Sequence, residues 1–290
     1  MTRAENGDVQ VAYEVAGPEN GDVQVAYEVA GPENGDPVVC INGLGYGRWM
    51  WRWQRAALAD TYRTILWDNR GTGDSDAPEG PYSIDDMAAD LEAVLADAGI
   101  ERAHVVGASM GGMIAQHYAI EYDRAATLSL LCTTPGGRES TGIPEKTKQR
   151  LTSVPEDATD RESIRHRMEP AVSERFYAEQ PDLVERIVDW RLESDADDAA
   201  RQAQAAAVLG FDVADDLHGI DVPTLVLHGD DDRVVPVENG RLLAERLPNA
   251  RLEECPAGAH LFFIEDAHWV NERLRGFLEA NELESPTEAR

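Results

Sequence analysis

The sequence predicts an α/β fold, with a mostly parallel, twisted sheet, helices on both faces and a helical insertion. Three observations lead there. Short apolar runs alternate with stretches of helical spacing from Val38 onward, a glycine-framed turn joins one such run to one such stretch, and residues 136–217 break the alternation. A chain of 290 residues is long enough to bury a full core as one large domain, or as a domain carrying an insertion. Its 42% hydrophobic content supports a packed protein rather than a disordered one.

The chain opens on a tandem repeat: ENGDVQVAYEVAGP occupies residues 5–18 and again 19–32, and a third ENGD follows at 33–36. Two copies are too few for a solenoid. Each copy carries a β-like run, Val9–Val15 and Val23–Val29, separated by Gly17, Pro18, Asn20 and Gly21. This punctuation predicts an antiparallel hairpin at a sheet edge, arising from a duplication with no functional role.

Beyond the repeat, Val38–Asn42 reads as a strand, Trp49–Ala59 as a helix and Tyr62–Trp67 as a strand. Ile84–Ala98 has helical spacing, with Asp85 and Asp86 in its first turn where the helix dipole favours acids. His104–Ala108 is a strand, Gly111–Tyr122 a helix and Thr127–Cys132 a strand. Later, Thr224–His228 and Arg251–Cys255 read as strands, Val237–Leu247 and Trp269–Ala280 as helices. The intervening 136–217 is charged and helical in composition. An insertion above the carboxyl ends of parallel strands, where ligands bind, is expected to be a lid over a core of residues 1–135 and 218–290.

Charge excludes several classes of partner. Asp and Glu total 55 against 26 Lys and Arg, for a net charge of −29, and the only lysines are Lys146 and Lys148. Such a surface repels nucleic acid and anionic membranes. It also suggests a halophilic protein, whose self-repulsion concentrated salt screens. No apolar run approaches bilayer-spanning length, and MTRAENGDVQ lacks the basic and apolar regions of a signal peptide, so a cytoplasmic location is expected. Cys40, Cys132 and Cys255 lack metal-type spacing and are odd in number, which predicts buried fillers rather than disulfides or a zinc site.

The chemistry centres on Gly107-Ala108-Ser109-Met110-Gly111, a G-x-S-x-G between a strand and a helix. With 24 Gly and 10 Ser in the chain, chance supplies only about 0.07 such matches. The glycines make physical sense, because a side chain at 107 or 111 would clash with backbone passing close to the strained turn. A serine hydroxyl needs a base, and the base needs a carboxylate to hold its tautomer. In the fold family that this strand–turn–helix motif resembles, the chain order is Ser, acid, His. Of His166, His218, His228, His260 and His268, which follow an acidic residue beyond Ser109, His260 comes just after the strand Arg251–Cys255 in the loop after Pro256, whereas His268 sits beside a helix start, so His260 is the candidate base. The acid should end the preceding strand, but Asp230, Asp231 and Asp232 are adjacent, and chemistry alone does not separate them. One backbone N–H for a developing oxyanion should come from Met110, the residue after the nucleophile.

From about Val38 to Leu278 these motifs resemble the α/β-hydrolase superfamily. Gly229, Asp232, Val235 and Pro236 fit its G-x-x-D-x-x-V-P pattern, which implies Asp232 as the acid. Asp68-Asn69-Arg70-Gly71-Thr72-Gly73-Asp74-Ser75 resembles its D-x-R-G-x-G-x-S loop, and Ser109–Met113 and His260–Glu265 are similar to its patterns as well. Where that family usually has His-Gly, this chain has Asn42-Gly43-Leu44-Gly45, so the resemblance implies Leu44 N–H as the second oxyanion donor. Trp49, Trp51 and Trp53 follow this loop and could form an apolar substrate pocket or pack under the insertion.

The resemblance implies hydrolysis of a small carboxylic ester or lactone, especially as in 3-oxoadipate enol-lactonase-like members, through an acyl-enzyme on Ser109. Epoxide hydrolases and haloalkane dehalogenases resemble this fold with Asp at the nucleophile position, so Ser109 speaks against both. Cofactor-free perhydrolases of the haloperoxidase type and carbon–carbon bond hydrolases keep the serine triad and form the enzyme alternatives. A ligand receptor of the same fold is the non-enzyme alternative. No metal, nucleotide or flavin motif is present, so no cofactor is implied.

Overall fold

A computed structural model describes residues 23–155 and 157–283, and residues 2–6 and 9–16 as backbone strands. The first part of the chain forms β1 (Thr2–Asn6), β2 (Val9–Ala16), β3 (Val25–Ala30), β4 (Pro37–Ile41), α1 (Arg52–Leu58), β5 (Arg63–Trp67) and α2 (Ile84–Asp97). Next come β6 (Ala103–Ala108), α3 (Met110–Glu121) and β7 (Ala125–Leu131). Five helices follow before another strand: α4 (Glu145–Thr152), α5 (Asp160–Met168), α6 (Glu174–Glu179), α7 (Pro181–Ser194) and α8 (Asp198–Leu209). The chain closes with β8 (Thr224–Gly229), α9 (Glu238–Arg246), β9 (Ala250–Cys255), α10 (Phe262–Glu265) and α11 (Ala267–Glu279).

The strands form one nine-stranded sheet in the order β1-β2-β3-β5-β4-β6-β7-β8-β9. From β5 to β9 all neighbours are parallel, and β1 to β3 extend the sheet antiparallel on the β5 side. The expected mostly parallel sheet is therefore present. So is the N-terminal hairpin: Ala12 to Ala16 of the first copy pair antiparallel with Val29 to Val25 of the second. Residues 17–22, which carry the expected turn, lie outside the described residues. β1 has no strand-like pattern in its TRAEN sequence, yet it pairs with β2 from Thr2↔Tyr13 to Asn6↔Val9.

Strand alternation divides the core in two. Val39, Ile41 and Val105 face one side, against α2 and α3, while Val38, Cys40 and Val106 face the other, against α1 and α11. Strands covered on both faces must be apolar throughout, and β6, β7 and β8 are buried along their whole lengths. The three cysteines are free and buried as small fillers, and burial pushes the Cys255 thiol up to about 12.

Two features of this frame place a site. β4 lies between β5 and β6, so the chain leaves β4 toward one side of the sheet and later returns on the other. The crevice beyond the carboxyl ends of β4 and β6 is the switch point at which ligands bind in open parallel sheets. The D-x-R-G loop braces this end: Arg70 Nε and Nη2 donate to the two oxygens of fully buried Asp90 on α2, at 2.7 and 2.8 Å. Between β7 and β8 the described residues carry these helices and no strand, with one isolated antiparallel bridge, Gly136 to Asp212. Among the described residues no helix is long and apolar enough to cross a membrane.

Candidate active site

Ser109 sits between β6 and α3 at φ 55° and ψ −118°, a conformation that L-residues rarely adopt. Such a backbone costs of order 1–3 kcal/mol and persists only where its surroundings enforce it. They do so here. Ser109 N donates to Leu131 O at 2.9 Å, and its carbonyl accepts from Thr133 Oγ1 at 2.7 Å and from Gly112 N at 2.9 Å. The two glycines of the motif are sterically required. A Cβ on Gly107 would lie 2.2 Å from Gly111 O, and one on Gly111 would lie 2.1 Å from Ile41 O. The clash expected from the motif is therefore with the backbone of α3 in one case and of β4 in the other.

The loop after β4 passes directly over this turn. Gly43 comes so close that a Cβ there would touch Ser109 Cβ at 3.6 Å. Asn42, where the resembled family has His, is fully buried and bridges two strand ends: its Nδ2 donates to Trp67 O at 2.8 Å, and its own carbonyl accepts from Asn69 Nδ2 at 3.0 Å. The loop is also held from outside the core. Gly45 N donates to Gln204 Oε1 at 2.7 Å, and Gly45 O accepts from Ala196 N at 3.0 Å. Among the described residues, the Leu44 and Met110 N–H groups donate to no protein acceptor. Met110 is 1% exposed, so its idle donor is costly unless a ligand satisfies it.

Asp232 and His260 meet across the loops that follow β8 and β9. Of the three adjacent aspartates, Asp230 and Asp231 are exposed and Asp232 is 6% exposed. Asp232 Oδ1 accepts from Val234 N at 2.8 Å and Val235 N at 2.9 Å. Its Oδ2 accepts from His260 Nδ1 at 2.8 Å. A carboxylate only accepts, so Nδ1 of His260 carries a proton, and in the neutral ring Nε2 is the nitrogen that keeps its lone pair. The two loops are joined by a backbone bond, Asp231 N to Gly258 O at 3.0 Å. A second histidine, fully buried His228, lies with Nε2 at 3.4 Å from Asp232 Oδ2 and donates to Val235 O at 2.8 Å. Burial pushes the Asp232 carboxyl up, but His260 and His228 beside it outweigh this and hold it well below the usual carboxylate range. No sequence motif had pointed to His228, Gln204 or the bridging role of Asn42.

The three tryptophans separate. Trp51 has no exposed surface and packs on Phe263 at 5.4 Å between ring centroids, the packing alternative of the two expected for it. Trp53 stands edge-on to Trp190 at 6.1 Å. Trp49 donates through Nε1 to Asp195 Oδ1 at 2.9 Å and lines a cavity of about 270 Å³ with Arg48, Asp68 and Trp190. The lining of that cavity includes neither Ser109 nor His260.

Comparison with known proteins places this geometry in a class. A family model described as the alpha/beta hydrolase family matches residues 38–273, and the chain belongs to that family. It is a hydrolase by family and by relatives. It is 32% identical to the candidate carbamate hydrolase RutD of Azorhizobium caulinodans, over 96% of this chain and 98% of the relative. It is 28% identical to 3-oxoadipate enol-lactonase 2 of Acinetobacter baylyi, over 82% of this chain and 86% of the relative. Among solved structures it is similar to the enol-lactonase of Burkholderia xenovorans LB400, with a TM-score of 0.80, 27% identity, and coverage of 92% of this chain and 100% of that one.

Proposed function

We propose that the chain hydrolyses a carboxylic ester or lactone through a Ser109–His260–Asp232 triad and an acyl-enzyme intermediate. The observation that carries this reading is the strained serine turn with two idle backbone donors beside it. The buried His260–Asp232 pair supports it. In this mechanism His260 Nε2 takes the Ser109 proton as Oγ attacks the acyl carbon. Leu44 and Met110 N–H stabilise the oxyanion of the tetrahedral intermediate, and His260 returns the proton to the leaving alkoxide. A water activated by the same imidazole then releases the acid. Asp232 stays ionised throughout, keeps the Nδ1 tautomer and stabilises the imidazolium. Residues 136–217 act as a lid over this site.

The relatives named for enol-lactone and carbamate hydrolysis support acyl transfer from a small molecule, and the full-length similarity to the carbamate relative makes carbamates a second substrate class for the same machinery. The test is a panel of esters, lactones and carbamates, with a fluorophosphonate probe. Ser109→Ala should lower turnover by about 10⁶-fold, the cost of removing a triad serine, and should abolish labelling. Labelling at another residue, or wild-type turnover in the variant, would overturn the assignment.

A further inference from the structure

His228 is a buried titratable side chain that the mechanism above leaves without a task. It lies near the end of β8, fully buried, and by strand alternation shares the face of Val226. Helix α9 makes room for its ring: a Cβ on Gly240 would lie 2.6 Å from Nδ1 and 3.1 Å from His228 Cβ. Glycine inside a helix is unfavourable, so this gap in α9 is space kept for the imidazole. Among the described residues Nδ1 has no hydrogen-bond partner. A buried ring nitrogen left unpaired is costly, and an apolar side chain of similar size would avoid that cost. What the imidazole supplies at this position is therefore its other nitrogen.

Nε2 donates to Val235 O at 2.8 Å, and since a carbonyl only accepts, Nε2 carries a proton. Val235 is thereby held on both sides. Its N–H donates to Asp232 Oδ1 at 2.9 Å, and its carbonyl accepts from His228. The next residue, Pro236, has no N–H, so that peptide unit can be fastened only through its carbonyl. The bond also ties the acid-bearing loop back to the strand from which it departs. The same ring edge stands beside the carboxylate itself: Nε2 is 3.4 Å from Asp232 Oδ2, the oxygen that accepts from His260 Nδ1 at 2.8 Å. Without the ring, the Val235 carbonyl would be buried and unmet. Val235 would then turn toward another partner, and the N–H that fixes Asp232 Oδ1 would turn with it.

We propose that His228 is a positioning residue for the acid of the triad: through Val235 it fixes the loop that presents Asp232 Oδ2 to His260 Nδ1. This rests on the hydrolase reading above and adds to its site a second histidine, one that acts through Asp232 and not on substrate. A displacement of about 1 Å at the acid passes directly to the base, and misplacements of that size cost about 10²-fold in rate. The role belongs to Nε2 alone. Glutamine places its amide nitrogen where Nε2 stands, whereas asparagine places its own near Nδ1 and stops short of Val235.

The test is hydrolysis of p-nitrophenyl acetate by His228→Leu, His228→Asn and His228→Gln, with Asp232→Asn as a second background. His228→Leu and His228→Asn should lower kcat at least about tenfold with little change in KM, and His228→Gln should stay within about threefold of wild type. Adding His228→Leu to Asp232→Asn should cost less than about threefold, because the residue it positions is already disabled; a ring that merely fills space would cost the same factor in both backgrounds. A smaller loss in His228→Leu, or an equal loss in both backgrounds, overturns the proposal. So does a His228→Gln as impaired as His228→Asn, which decides the matter should His228→Leu fail to fold. Nitrogen-15 NMR of the wild-type imidazoles at neutral pH gives a readout free of turnover. The His228 ring, assigned by its disappearance in His228→Gln, should be the Nε2–H tautomer, and the Nδ1–H tautomer would overturn the clamp on Val235. Nε2–H without cleavage of any ester would refute the hydrolase reading and leave that clamp standing. Ester cleavage with His228 as Nδ1–H would do the reverse.

Discussion

Replacing Asp232 by asparagine exchanges one oxygen for an NH2 group, and the surrounding bonds dictate where that group must go. Val234 N–H and Val235 N–H both point at Oδ1, from 2.8 and 2.9 Å. An NH2 there would set donor against donor twice, so the amide oxygen keeps the Oδ1 position. The NH2 then occupies the Oδ2 position, 2.8 Å from His260 Nδ1. His260 can meet it only by giving up the Nδ1 proton and carrying a proton on Nε2 instead. The nitrogen proposed to face Ser109 then has no lone pair to offer. An imidazole held in the wrong tautomer costs on the order of 10⁴ in turnover, which is about 5.5 kcal/mol of transition-state stabilisation.

The assay is steady-state hydrolysis by Asp232→Asn beside Asp230→Asn and Asp231→Asn, with melting temperatures recorded to confirm folding. The two exposed aspartates should tolerate the change within about twofold, because surface substitutions away from special features have small effects. Since neighbouring histidines hold the Asp232 carboxyl below the usual range, it stays ionised across the neutral and mildly acidic region. Asp232 should then add no ionisation of its own to the acid limb of the rate profile. An Asp232→Asn enzyme within a hundredfold of wild type would refute the argument. So would a crippled Asp231→Asn with Asp232→Asn intact.

Three further expectations follow from the chain and its packing. The melting temperature should rise steeply across molar potassium chloride, because the Debye length shrinks from about 10 Å at 0.1 M to about 3 Å at 1 M; a flat or falling curve would remove the halophilic reading of the −29 charge. Burial holds the fully enclosed His104 imidazole down at about 4. A base depressed on folding contributes stability that is complete above the unfolded value near 6.5 and is lost as pH falls toward 4, by about 3 kcal/mol in all. Urea unfolding of wild type and His104→Asn at pH 7.5 and 4.5 should show this loss in wild type alone, and parallel losses would contradict it. Deleting Glu5–Pro18 should leave activity within a factor of a few and shift the melting temperature modestly. The junction restores TRAENGDVQVAY, so β1 can take on Val23–Tyr27 the register it now has on Val9–Tyr13, and an unfolded product would show instead that β2 is indispensable.

What could be read beforehand was whatever depends on neighbours in sequence. The serine turn was legible because its glycines answer to backbone within four residues or on the adjacent strand. The parallel strands were legible because burial on both faces leaves unbroken apolar runs. The aspartates were not, since Asp230, Asp231 and Asp232 differ only in which one the loop after β8 turns inward. Trp51 and Trp53 differ likewise by which face of one short helical segment meets Phe263. β1 escaped notice because an edge strand needs backbone pairing and not an apolar pattern.

The contacts of the inserted helices were out of reach for a stronger reason. Gln204 accepts from Gly45 N–H and donates through Nε2 to Arg70 O at 2.8 Å, linking the oxyanion loop to the D-x-R-G loop across more than a hundred residues of chain. Ser194 O accepts from Gly73 N at 2.8 Å, and Asp195 holds Gly47 and Trp49. Each of these partners is an ordinary polar residue on or just after a helix, at no distinctive spacing, so nothing in the sequence separates it from a solvated surface. Its effect lies in the partner it meets: the segment that reads as a charged appendage supplies an acceptor for Gly45 N–H, directly beside the idle Leu44 donor. The geometry proposed to stabilise the oxyanion is therefore set from both sides of the crevice, by β4 below and by α8 above. A variant in this insertion, far from Ser109 in sequence, can change the chemical step by moving Gly45.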